Sequence, residues 1–503
     1  MTVLAHGVTP SDANDELTRD ALAVLQPGFE GTTAPAWLLR QIGEGLTAVG
    51  LFGRNIASPE QLAALTAQLR AEREDVLVAI DEEGGDVTRL EVRGGSSFPG
   101  NLALGAVDDT GLTRDVAHEL GRRLAECGVN LNWAPSADVN SNPDNPVIGV
   151  RSFGADTHLA ARHTAAYVEG LQAAGVAACT KHFPGHGDTN VDSHHALPRI
   201  DVDLDTLVAR ELVPFKAAVA AGTKAVMSAH ILVPALDPTR PATLSPQILT
   251  GLLRKELGYE GLIVTDGMEM NAIAGTYGIE RGSVLAIAAG ADAICVGGGL
   301  ADEATVLRLQ GALVAAVREG ALPAERLADA AARVRALASW TRQARAAAAP
   351  GAPQEGSAPG IGLAAARRAV AVTGTAAPVT APLYVATLAP VANIAVGDET
   401  PWGVAAELAA LVPGTASGVF PEGATAADVL AAAGERTVVL VARDAHRHPW
   451  MAAALEALVE ARPETVVVEM GVPRAEPRGA LYIATHGASR VCGRAAAELI
   501  AGA

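Results

Sequence analysis

The stretch KHFPGHGDTNVDSHH, residues 181–195, sets four histidines, two acids and a lysine around a Pro-Gly break. Three roles fit such a set: a metal cage, an acid–base loop, or a solvated turn. Spacing argues against the cage. His182 and His186 stand at H-x-x-x-H, which places both rings on one face only in a helix. Pro184 and Gly185 between them forbid a helix. Acid–base work fits better. Asp192 and His194 form a D-S-H pair, and in an extended loop residues two apart point to the same side. A carboxylate beside an imidazole fixes its tautomer and raises its pKa. Such a histidine can give and then take a proton near neutral pH. Asp266 is the complementary group, a lone carboxylate directly after the apolar run LIVT. An acid at a strand end can attack while a second group protonates the leaving atom, which is what retaining glycoside hydrolysis requires.

These groups need a scaffold. Between residue 20 and about 340, short apolar runs alternate with helical stretches. Eight runs occur, at 21–28, 48–55, 76–85, 129–139, 176–185, 225–231, 262–270 and 291–299. Continuous rather than alternating apolar runs indicate strands buried on both faces, hence a parallel sheet. Eight such units predict an α/β fold with a (β/α)8, TIM-like barrel over residues 1–343. An open doubly wound sheet competes, but no GxGxxG supports it. Residues 344–360, ARAAAAPGAPQEGSAPG, read as a linker. Runs at 382–389, 436–442, 464–471 and 479–487 then predict a smaller αβα sandwich domain over 361–503. In a parallel barrel, function gathers at the C-terminal strand ends. Those ends carry Arg54 and Asn55, Asp81 with Glu82 and Glu83, Asp138, Lys181 and His182, His230, and Asp266. A barrel with only structural duties has no need of so many.

Composition narrows the function. The chain of 503 residues has a net charge of −18 and no Lys/Arg stripe, so neither nucleic acid nor an anionic membrane surface is an expected partner. The four cysteines are far apart, with no CxxC, and are expected to be reduced and buried. The N-terminus, MTVLAHGVTPSDANDE, lacks a basic region followed by an apolar run, and no apolar segment is long enough to span a bilayer. A cytoplasmic location is the expectation.

The motifs LFGRNI (51–56), DEEGGDVTRL (81–90), APSADVN (134–140), RSFG (151–154), KHFPGHGDTNVDSH (181–194), VMSAH (226–230) and TDGMEM (265–270) run through the whole first domain. Through them the chain resembles glycoside hydrolase family 3, specifically its bacterial β-N-acetylglucosaminidases. The resemblance implies exo-acting removal of terminal N-acetylglucosamine through a covalent glycosyl-aspartate. It makes Asp266 the nucleophile, His194 the acid/base and Asp192 its orienting partner. Asp81, Arg89, Arg151, Lys181 and His182 fall where the family holds the sugar. Rim salt bridges for the two arginines, and neutralisation of Asp266 by Lys181, are the bland alternatives. No cofactor and no metal are expected, and a metal-dependent barrel hydrolase is the rival class. Inorganic phosphate is an alternative acceptor to water, because a spent histidine is neutral and does not repel an anion. Two departures stand out: Asp86, where some members carry a basic residue, and Gly267, where others carry an acid. The family's β-glucosidases take their acid/base from the second domain. Here the DSH loop removes that need, so the second domain is expected to serve as a buttress or a dimer contact, which allows for a homodimer.

Overall fold

A computed structural model describes residues 10–194, 196–347, 360–375, 382–391, 395–397 and 399–503. Each of the eight apolar runs of the first part yields a strand: β1 (Leu25–Pro27), β2 (Ala48–Leu51), β3 (Leu77–Ile80), β4 (Leu131–Asn132), β5 (Ala177–Phe183), β6 (Ala225–Ser228), β7 (Leu262–Thr265) and β8 (Ile294–Val296). Every ladder is parallel. β2 to β7 form one curled sheet in sequence order, and β1 pairs with β8. The Val264–Ala293 bridge joins β7 to the segment leading into β8, and β1 lies beside β2.

Two apolar clusters explain the continuous runs. One face of the strands, including Val49, Val78, Ile80, Val226, Ile263 and Ile294, packs against the surrounding helices. The other face fills the barrel with Ala48, Leu77, Ala79, Ala177, Cys179, Ala225 and Ala293 around Trp133. Small residues ring one large one, so few aromatics suffice. Gly50 shows how tight this is: a Cβ there would lie 2.9 Å from the Trp133 ring. The helix Ala324–Ala347 contributes Val334, Leu337 and Ala338 to the same cluster. It also runs through residues 344–347, where the linker was expected to begin; most of that linker lies outside the described residues. All four cysteines are buried and unpaired.

The second unit is a six-stranded sheet: β9 (Ala371–Gly374), β10 (Leu383–Leu388), β11 (Ala416–Phe420), β12 (Thr437–Ala442), β13 (Val466–Glu469) and β14 (Leu481–Ala484). The order is β11-β10-β12-β13-β14-β9, parallel except for β9. Alternate residues, such as Leu383 and Val385 against Tyr384 and Ala386, enter separate cores on the two faces, each covered by helices. The strand order reverses between β10 and β12, and ligands of open α/β sheets gather at the C-terminal side of such a point. Here that side is turned toward the barrel.

Asp86 belongs to this contact. It is 2% exposed as a side chain, pairs with Arg443 at 3.0 Å and accepts the Ala488 N–H at 2.7 Å. It therefore ties the two units together. His446 adds a hydrogen bond to the Pro143 carbonyl, 3.0 Å. Removing one partner of a buried pair strands the other charge, so Arg443→Ala should lower stability by about 3–5 kcal/mol. Chemical denaturation checks this, and an unchanged midpoint would mean the interface is held elsewhere.

Candidate active site

Glu83, which follows β3, is buried at the barrel mouth. It accepts from Arg151 at two points, Nη2 at 2.7 Å and Nε at 3.0 Å, and from Lys181 Nζ at 2.7 Å. Lys181 also reaches Asp81, at 2.5 Å. Burial pushes the Glu83 carboxyl up, but the Arg151 and Lys181 charges outweigh it and hold it far below the usual carboxylate range. Lys181 thus neutralises Asp81 and Glu83, not Asp266. Glu83 was not singled out as a site residue, because adjacent glutamates in DEEGG look equivalent. Glu82 turns away and takes the backbone N–H groups of Arg89 and Leu90 at 2.8 and 2.7 Å.

Lys181 and His182 are neighbours on β5, and strict alternation would send them to opposite faces. Between Thr180 and Phe183 the register against β6 slips, and both side chains line the cavity. A bulge re-aims side chains in this way. His182 Nδ1 donates to Asp138 Oδ2 at 2.7 Å, which leaves Nε2 as an acceptor 3.4 Å from Arg151 Nη2. Burial raises the Asp138 carboxyl, but the adjacent His182 and His186 outweigh it and hold it at about 2.

Asp266 leaves β7 into the same cavity and accepts the Gly267 N–H at 2.8 Å. Burial pushes its carboxyl up, but His230, His182 and His194 together bring it down to about 2. His230 donates from Nε2 to the Gly267 carbonyl, 2.9 Å, and so braces the turn after Asp266. The expected pair is present: His194 Nδ1 lies 2.7 Å from Asp192 Oδ1, and the His194 N–H donates to the same oxygen at 2.9 Å. The geometry is a side-chain-capped turn, not the extended loop expected from the sequence. Burial would lower the His194 pKa, but the Asp192 hydrogen bond and the charges of Asp266 and Asp192 hold it above the usual imidazole value.

These residues enclose a cavity of about 570 Å³ with Trp133 in its lining. All six of Asp81, Arg89, Arg151, Lys181, His182 and Asp266 line it, together with His194; Asp192 stands behind His194. The second unit joins in. Ala395, Val396, Gly397 and Glu399, from the loop after β10, form part of the wall, and Arg89 Nη2 donates to the Ala395 carbonyl at 2.7 Å. The second unit is therefore more than a buttress. Arg54 lies at the rim, spent on the carbonyls of Phe29 and Gly298 and stacked over Phe52. Among the described residues no cluster of three or more His, Cys, Asp or Glu side chains is disposed to hold a metal ion. Nor is any helix among them long and apolar enough to cross a membrane.

Fold and site together define a two-domain α/β-barrel protein with a carboxylate–histidine pocket at the C-terminal ends of its strands. The family described as "Glycosyl hydrolase family 3 N terminal domain" matches residues 35–337, and the chain belongs to that family. A solved β-N-acetylglucosaminidase of the same family from Paenibacillus sp. is 35% identical, with a TM-score of 0.86 over 97% of this chain and 96% of that one. Beta-hexosaminidase A of Pseudoalteromonas piscicida is 38% identical over 312 residues, 57% of this chain. This chain spans about half of that relative's length, 52%. A β-N-acetylhexosaminidase from Beutenbergia cavernae is 31% identical with a TM-score of 0.57; the match takes in 64% of this chain and 98% of that one.

Proposed function

We propose that the chain is an exo-acting, retaining β-N-acetylglucosaminidase. The observation that carries this is the pairing, in one cavity, of an ionised strand-end carboxylate, Asp266, with a histidine oriented by its own aspartate, His194–Asp192. In the first step Asp266 attacks the anomeric carbon, and the glycosidic C–O bond breaks. The leaving oxygen takes the proton from His194 Nε2, the nitrogen left over by the Asp192 hydrogen bond. In the second step neutral His194 removes a proton from water as it attacks the same carbon, and Asp266 is released. Asp81, with two acceptor oxygens, suits adjacent sugar hydroxyls, Arg89, Arg151 and Lys181 supply donors around it, and His182 Nε2 offers an acceptor. The name of the Paenibacillus relative supports N-acetylglucosamine as the sugar. A panel of aryl glycosides tests the reading: turnover of the GlcNAc glycoside should exceed that of the glucose and GalNAc glycosides, and a preference for glucose would overturn it.

Phosphate is the second acceptor to consider, because the acid/base is a histidine. Once it has given up its proton, the acceptor side holds a neutral ring where other glycosidases hold a carboxylate. Products formed with and without millimolar phosphate decide the matter: GlcNAc-1-phosphate supports phosphorolysis, and an unchanged rate and product rule it out.

The pKa directions give a pH profile. Asp266, at about 2, is ionised throughout the working range. His194 must be protonated to act as acid, and its pKa is raised. Activity on poor leaving groups should therefore fall only on the basic side, above the ordinary imidazole value. Asp192→Ala should move that limb to lower pH, and a limb that stays in place would argue against His194 as its source.

A further inference from the structure

His186 is the motif histidine without a task in this scheme. It sits where the acid/base loop divides into two parts. The first part is pinned. Asn145 Nδ2 donates to the carbonyls of His186 and Gly187 at 2.9 and 3.1 Å, and Asp138 accepts the His186 N–H at 2.7 Å. Asp188 pairs with Arg210 at 2.5 Å, and Arg210 with the fully buried Glu211 at 2.7 Å. Gly187 packs so closely that a Cβ would lie 1.7 Å from the Val139 carbonyl oxygen. The run GHGDTNV is therefore not uniformly mobile, as its small and polar residues suggest. Beyond Thr189 the anchors thin out to a backbone hydrogen bond from the Ala272 N–H to the Ser193 carbonyl, 3.4 Å, and Asn190 is exposed.

The part that carries Asp192 and His194 is linked back through Ser193. Its hydroxyl is 3.3 Å from His186 Nε2, and Ser193 is 2% exposed. One proton assignment satisfies these groups together: the Thr189 hydroxyl donates to the His186 carbonyl, 3.0 Å, and its oxygen accepts from His186 Nδ1–H at 2.7 Å. Nε2 is then an acceptor, and the Ser193 hydroxyl donates to it. Burial and the neighbouring His182 push the His186 pKa down to about 4, in keeping with a neutral ring.

We propose that His186 is a positioning residue: by holding the Ser193 hydroxyl, it sets the place of the adjacent His194 over the cavity. This rests on the acid/base reading of His194. A positioning fault weakens both proton transfers by His194, but kcat/KM reports only the first, proton-donating step, so its cost there depends on how much help the leaving group needs. The test is the ratio of kcat/KM on an activated nitrophenyl β-N-acetylglucosaminide to that on the methyl glycoside. The ratio is insensitive to the fraction of folded enzyme, which scales both values alike.

Ser193→Ala deletes one oxygen and His186→Ala removes the acceptor. Each should lower kcat/KM on the methyl glycoside by about tenfold or more, with less than about a threefold change on the nitrophenyl one. His186→Gln, which keeps an acceptor, should recover most of the loss. Equal losses on both substrates, or none on either, overturn the positioning role while His194→Ala still shows its own leaving-group dependence. If His194→Ala shows no such dependence, the acid/base reading fails and this inference falls with it.

Discussion

Asp266→Ala should lower kcat/KM by about 10⁴-fold or more, on activated and unactivated glycosides alike. A nucleophile is needed whatever the leaving group, so no substrate should escape the loss. The geometry makes the effect specific to this carboxylate. Among the other acids lining the cavity, Glu83 is bound by Arg151 and Lys181, Asp81 by Lys181, and Glu269 accepts the backbone N–H groups of Gly297 and Gly298. Asp266 has histidines around it instead and keeps an ionised carboxylate in the cavity. Comparable activity of the variant on any aryl glycoside would contradict the assignment.

His194→Ala should divide substrates where Asp266→Ala does not. A glycoside with a poor leaving group must be protonated as its bond breaks, and should lose about 10²- to 10⁴-fold in kcat/KM. An activated nitrophenyl glycoside needs little help and should lose far less. Its kcat should still drop, because water must be deprotonated in the second step. Azide, an anionic nucleophile that needs no base, should then restore kcat and yield a glycosyl azide. An equal loss on all substrates, without rescue, would remove His194 from the acid/base role.

Much of this was legible before any coordinate. Short continuous apolar runs indicate strands buried on both faces, and all eight became barrel strands. The second sheet was harder. β9, AVTG, is exposed along its length and pairs antiparallel at the sheet edge with only a four-residue apolar run, AVAV, leading into it, and β11, ASGVF, dilutes its pattern with serine and glycine. Asp266, Lys181 and His182 could be placed because a strand end is visible in sequence. Three things could not. The choice of Glu83 over Glu82 depends on how the Gly84–Gly85 turn leaves β3, with φ of 77° and 66°. The inward aim of both Lys181 and His182 depends on a register slip. The entry of residues 395–397 and Glu399 into the cavity wall depends on how the two units dock, through pairs such as Asp86–Arg443 whose partners lie hundreds of residues apart. The D-S-H pair was found for a partly wrong reason: proximity came from a capped turn, not from an extended strand.

The central claim is a covalent bond between Asp266 and the sugar. A fluorosugar analogue of N-acetylglucosamine with a fluoride leaving group tests it most directly. The electron-withdrawing ring fluorine slows both steps by destabilising the oxocarbenium-like transition state, and the good leaving group speeds the first, so the intermediate accumulates. After incubation, the intact mass should rise by one fluorosugar, and the modified peptide should be the one containing Asp266, with no adduct in Asp266→Ala. An adduct on another residue, or continued turnover of the analogue with none at Asp266, would contradict the account.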